Sequence, residues 1–198
     1  MAMKTKQDLK DIFNGLSALY YSPTSYDLDG TDNKGVSTLA ISWDYELPVT
    51  VDTLQITQDD PTINHYKVIG LQGDWTSSAE AGDFTVQFTV PTKATEVLKL
   101  AFGDDSTVEI KGVKMADIGT DTWTGVSTAV NMQKVTGTIG LIDETKENFM
   151  LITNIALYAK PLYENPSSEP FAIQFSGSIE TSGDANFAWL KKDKTASA

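Results

Sequence analysis

Carboxylates are the first residues in this chain to invite a chemical reading. Asp27-Leu28-Asp29-Gly30-Thr31-Asp32-Asn33-Lys34-Gly35 opens with the acid spacing of a calcium-binding EF-hand loop. That loop needs glycine at its sixth position for a sharp turn and glutamate at its twelfth for bidentate coordination. Here those positions are Asp32 and Thr38, so the segment reads as a turn-rich loop. The pairs Asp59-Asp60, Asp104-Asp105 and Asp143-Glu144 suggest acid–base work only on paper. Neighbours on an extended chain point to opposite faces, so adjacency does not make a dyad, and solvated turns are the expectation. His65 is the only histidine. A hydrolase triad or an imidazole-ligated metal would have to use it. Gly125-Val126-Ser127-Thr128-Ala129 is a relaxed nucleophile elbow without a strand-to-helix setting. His65 is therefore expected to be a half-buried structural residue. There is no cysteine and no glycine-rich phosphate loop with its lysine. The expectation is a protein that is not an enzyme and carries no cofactor and no metal.

Composition narrows the class. The 198 residues carry 27 acids against 15 basic residues, a net charge of -12, and every basic residue is lysine. Guanidinium is the preferred fork for phosphates and guanine edges, so a sequence-reading nucleic-acid binder without arginine is not expected. The hydrophobic share of 40% suffices for a core. No apolar run long enough to span a membrane occurs, and no leader pattern follows Met1, so use without crossing a membrane is expected.

The elements that position these residues follow from periodicity. Leu9, Ile12, Phe13, Leu16 and Leu19 recur at helical spacing and predict a helix over about 8–20. It either packs on its own domain or docks on a neighbour. From Val36 the period changes to two. Strands are predicted at 36–45, 50–57, 62–69, 83–90, 106–115, 128–142, 149–160, 171–181 and 186–190. Phe84, Val86, Phe88 and Val90 face a core, with Thr85, Gln87 and Thr89 opposite. The strands at 128–142 and 149–160 form a long hairpin, a type that often extends beyond its own domain. Thr92, Pro91 before it and Gly103 after it bracket a short helix over 92–102, whose apolar face is Ala94, Val97, Leu98 and Ala101. The fold class is thus mainly β, an antiparallel sandwich or barrel with one flanking helix. One domain over 1–198 is expected, with residues 1–35 as an N-terminal arm. Trp43 is expected in the core, while Trp75 and Trp123 lie in Gly/Thr-rich loops and are the candidates for exposure. Such rings anchor protein interfaces or stack on sugars.

The order of these elements resembles the tail tube proteins, the major tail proteins of long-tailed bacteriophages. Three stretches carry the likeness: Gln58-Asp59-Asp60-Pro61-Thr62-Ile63-Asn64, the Gly70–Gly82 loop with the Pro91-closed strand and following helix, and Phe171-Ala172-Ile173-Gln174-Phe175-Ser176. It spans roughly residues 36–190 and rests on layout more than on single residues. The helical pattern at 8–20 departs from it, since many members begin with a strand. The resemblance implies a structural virion protein of the tail, made in the host cytoplasm. A long loop and a long hairpin would reach neighbours in a six-membered ring, and stacked rings would conduct double-stranded DNA without specific binding. Its partners would be itself and other tail proteins, with no membrane. Asp59, Asp60, Trp75, Trp123, Asp143 and Glu144 are the candidate subunit-interface residues. Two other readings are a head decoration or tail-terminator subunit, and a carbohydrate-binding or adhesive β-sandwich using Trp75 or Trp123 with the 27–35 loop.

Overall fold

The computed structural model describes residues 12–28, 39–50, 52–103, 107–115, 119–127, 133–164, 168–180 and 186–193. Among them, in chain order, are β1 (Ala18–Ser22), β2 (Tyr45–Leu47), β3 (Gln55–Gln58), β4 (Thr62–Tyr66), β5 (Thr76–Glu80) and β6 (Phe84–Val90). There follow α1 (Thr95–Phe102), β7 (Thr107–Met115), β8 (Gly119–Val126), β9 (Lys134–Ile142), β10 (Asn148–Leu162), β11 (Ala172–Ile179) and β12 (Phe187–Lys191). Among the described residues the protein is mainly β, with antiparallel sheets and one helix, as the sequence predicts. The chain forms two compact units, each discontinuous in sequence: 1–49 with 136–155 and 180–198, and 50–135 with 156–179. β10 supplies residues to both.

In the first unit the strands pair in the order β2, β1, β9, β10, and β12 pairs the opening half of β10. Its core is Leu19, Tyr21, Leu47, Ile139, Leu141, Leu151, Ile152 and Ile155, all at most 4% exposed. β10 is buried on both faces from Met150 to Leu157. A strand covered on both sides loses the alternation of apolar and polar residues. Gly140 admits the aromatic layer beside it, because a Cβ there would meet the rings of Phe149 and Trp43 at 2.7 Å. The Tyr21 hydroxyl donates to the Thr136 carbonyl at 2.7 Å. Burial, then the neighbouring Tyr45 and Asp44, push that phenol up to about 12, so it remains a donor.

In the second unit β11, β6 and β3 lie side by side in strict register. Phe175 faces Phe88 and Gly177 faces Val86; Gln174 faces Thr89, Ser176 faces Gln87 and Ser178 faces Thr85. Gln55 and Thr57 extend the last two rows on β3. One face is therefore core, with Phe88 and Phe175 stacked at 5.2 Å and at most 1% exposed. The other bears hydroxyls and amides with no ionisable group. α1 buries Val97 and Ala101, as its spacing requires, and Gly103 ends it at φ 102.

Several expectations need correction. No helix occupies 12–20, the described part of the predicted 8–20 helix; Ala18–Ser22 is strand β1. The helical spacing fails because Leu19 and Tyr21 are core residues on one face of a strand, and Gly15 adopts φ 69. The flanking helix starts at Thr95, after Ala94; the Thr92 hydroxyl accepts the Ala94 N–H without capping the helix. The β9–β10 hairpin is core, not an extension. The paired strands that stand outside the main ladder are β4–β5 and β7–β8, each a sheet of two strands. β5 falls inside the expected Gly70–Gly82 loop, and β8 in a stretch expected to be loop. Residues 39–44 are not strand, and Trp43 is partly buried against Tyr20 and Phe149. Most of the 27–35 loop and Asp104-Asp105 lie outside the described residues.

Phe88→Ala removes one member of the central stack in the second unit. It should cost about 3–5 kcal/mol, read as a lowered urea midpoint at unchanged slope.

Candidate assembly surface

The β4–β5 ribbon begins where the β3–β6 ladder ends. Gln58 is the last β3 residue paired, opposite Phe84. Asp59 N–H then donates to the Asp83 carbonyl at 2.9 Å, and the chain departs through Asp60 and Pro61. It returns at Gly82, packed so tightly that a Cβ would meet the Asp59 carbonyl oxygen at 2.1 Å. The acidic turn is thus one side of a neck. Asp59 acts there through its backbone, and both carboxylates are exposed.

Beyond the neck, Thr62–Tyr66 pairs with Thr76–Glu80, and Trp75 N–H closes the ladder on the Tyr66 carbonyl at 2.7 Å. Ile63 and His65 share one face with Ala79 and Ser77; Thr62, Asn64 and Tyr66 share the other with Glu80, Ser78 and Thr76. Ile63, Tyr66, Leu71 and Trp75 are 53–65% exposed, and Ile69 is 106% exposed at the tip. Gly70 (φ 93) and Gly73 (φ 146) let the tip turn. A ribbon of two strands has no second layer on which to bury such side chains, and alone is marginally stable. Each Ile- or Leu-sized side chain left in water forgoes about 1.5–3 kcal/mol of burial.

His65 lies in a strand, as expected, but on this ribbon it is exposed and not half-buried. Its Nδ1–H donates to Asp74 Oδ2 at 2.6 Å, and both side chains are substantially exposed. The pair braces the tip loop against the strand. Among the described residues, no group of three His, Cys, Asp or Glu is placed to hold a metal ion.

The β7–β8 ribbon repeats the pattern. Ile110 sits opposite Trp123, 53% and 47% exposed, and the register shifts between Ile110 and Val113. A bulge of this kind sharpens local twist. Val108 and Gly125 continue the same face.

Asp143 behaves differently from the other candidates. It is fully buried at the β9–β10 turn. Its Oδ2 accepts from Thr145 Oγ1 at 2.6 Å and Asn148 Nδ2 at 2.7 Å. Its Oδ1 accepts the backbone N–H groups of Glu147 and Asn148, each at 3.2 Å. The carboxylate is saturated by its own turn. Glu144 is exposed beside Gly15, and its N–H reaches the Asn14 carbonyl at 3.4 Å.

The six expected interface residues therefore do not form one patch. Asp143 and Glu144 belong to the first unit; Asp59, Asp60 and Trp75 mark the two ends of one ribbon, and Trp123 lies on the other. Trp75 and Trp123 are exposed as expected. Sequence reasoning missed Ile63, Tyr66, Ile69, Leu71 and Ile110. Val68-Ile69-Gly70-Leu71 held the signal, as aliphatics set among turn-forming glycines with no periodic pattern to place them in a core. No protein-family model matches this chain, and no curated protein matches it significantly.

Burial pulls the Asp143 carboxyl up, but the hydrogen bonds from Thr145, Asn148 and Glu147 outweigh it and hold it below the ordinary 3.8. A depressed carboxyl contributes stability above its unfolded pKa and loses it as pH falls through the folded value. Asp143→Asn should therefore lower the urea midpoint at pH 7. The gap from wild type should close as pH is taken below that range, as a series of unfolding curves would show.

Proposed function

We propose that this chain is a self-assembling structural subunit of a phage tail. In this reading copies close into six-membered rings and the rings stack into a tube that conducts double-stranded DNA. The observation that carries it is the pair of two-stranded ribbons with exposed aliphatic and aromatic side chains. Apolar surface on so thin a support is stabilised when a partner covers it. Unpaired strand edges are likewise protected when an assembly closes.

The β11–β6–β3 face supports the conduit. Gln55, Thr57, Thr85, Gln87, Gln174, Ser176 and Ser178 form rows of uncharged hydrogen-bonding groups. The Thr57 and Thr85 hydroxyls meet at 2.7 Å. A wall that lets DNA slide must present no cations, because each phosphate contact from lysine or arginine adds salt-dependent affinity. The rows on β11, β6 and β3 have none, exposed Lys160 lies on the neighbouring β10, and the chain holds no arginine.

Negative-stain images of concentrated protein over a range of salt should show rings and tubes. A field of compact monomers under all conditions would sink the proposal. On the same reading, Thr85→Lys tubes should retain duplex DNA at low salt and release it as salt rises, while wild-type tubes retain little. Filter binding at stepped salt reads the difference.

A further inference from the structure

The ribbon tip of the second unit combines three properties. Ile69 is entirely exposed, Val68 and Leu71 flank it at 39% and 57%, and Lys67 precedes them. The same unit contains a groove of about 370 Å³ walled by Pro91, Leu162, Pro170 and Ala172, with exposed Glu164 and Glu169 among its lining residues. The tip is an aliphatic knob with one cation; the groove has an apolar wall, a hydroxyl-bearing side at Thr50 and Thr53, and two anions. Neither Lys67 nor either glutamate is ion-paired to a described residue. Knob and hole are different surfaces of one chain. Mating them between copies gives a heterologous, head-to-tail contact, which generates a closed ring or an open helix according to its rotation.

We propose that the Lys67–Leu71 tip of one copy seats in the Pro91/Leu162/Pro170 groove of a second copy, with Lys67 facing Glu164 and Glu169. This rests on the self-assembly reading above and goes beyond it by naming both halves of the contact. The aliphatic residues exclude water from the groove, and the charge pair fixes which way the tip enters. Opposite charges across a contact set register and suppress wrong partners more than they add affinity.

The absence of cysteine makes introduced thiols unique. Ile69→Cys copies and Thr50→Cys copies, Thr50 being on the groove wall, would be mixed with a short bis-maleimide. Cross-linked dimers should form in the mixture and in neither variant alone. In parallel, Lys67→Glu should raise the concentration needed for assembly by about tenfold or more, as should Glu164→Lys with Glu169→Lys. Combining all three reversals should restore it. These residues are exposed, and circular dichroism would verify that each variant is folded. Wild-type rings or tubes without the mixed cross-link would overturn the inference and leave self-assembly standing. So would cross-linking of Ile69→Cys copies to each other, since that marks a two-fold tip-to-tip contact. Wild-type protein that forms no assembly under any condition would remove both.

Discussion

The second unit depends on the register of β6 between β11 and β3. Side chains on a strand alternate with period two, so a slip of one residue would exchange its faces. The observed register sends Val86, Phe88 and Val90 inward and Thr85 and Gln87 outward. Phe88 over Phe175 makes the slip expensive, because turning the Phe88 ring to solvent would leave Phe175 without its stacking partner at the centre of the core. The same choice produces the uncharged outer rows. Core and polar face are two sides of one decision made in the backbone.

The ribbons obey the complementary rule. A sheet face needs a second layer before its apolar residues stabilise anything. β9 and β10 have that cover and run nearly continuously buried. β4–β5 leaves Ile63 and Tyr66 exposed, and β7–β8 leaves Ile110 and Trp123 exposed. A core strand and a ribbon strand here differ in burial and in composition: β10 is an apolar run, and β5 is Thr-Ser-Ser-Ala-Glu.

Much of this was legible in the sequence, and the failures have physical causes. The 84–90 alternation located β6 to within a residue, and Gly103 located the helix end, because both signals are local. β5 was missed because Thr-Ser-Ser-Ala-Glu has no apolar period; it is a strand by virtue of its partner β4. The 8–20 helix was a false reading of spacings that suit a helix and, from Leu19 to Tyr21, a strand equally well. The strands at 128–142 and 149–160 are legible as a long hairpin, but their length suggests an extension past the domain where the structure has core. The run from Met150 to Leu157 is buried without alternation, so its own period marks no inner and outer face. Asp143 looked like any loop acid, since nothing in the sequence states that Thr145 and Asn148 turn back upon it.

The neck at Asp59 and Gly82 has a consequence for how such a chain can change over time. All the backbone that joins the β4–β5 ribbon to its sheet passes between two residues packed against each other. Everything beyond that point is topologically a single insertion in the turn from β3 to β6. Its length, tip chemistry and strand composition can drift, or be exchanged for another hairpin, without disturbing a residue of the core. A lineage could thus rewrite the exposed surface of one segment of about twenty residues while its scaffold stays fixed.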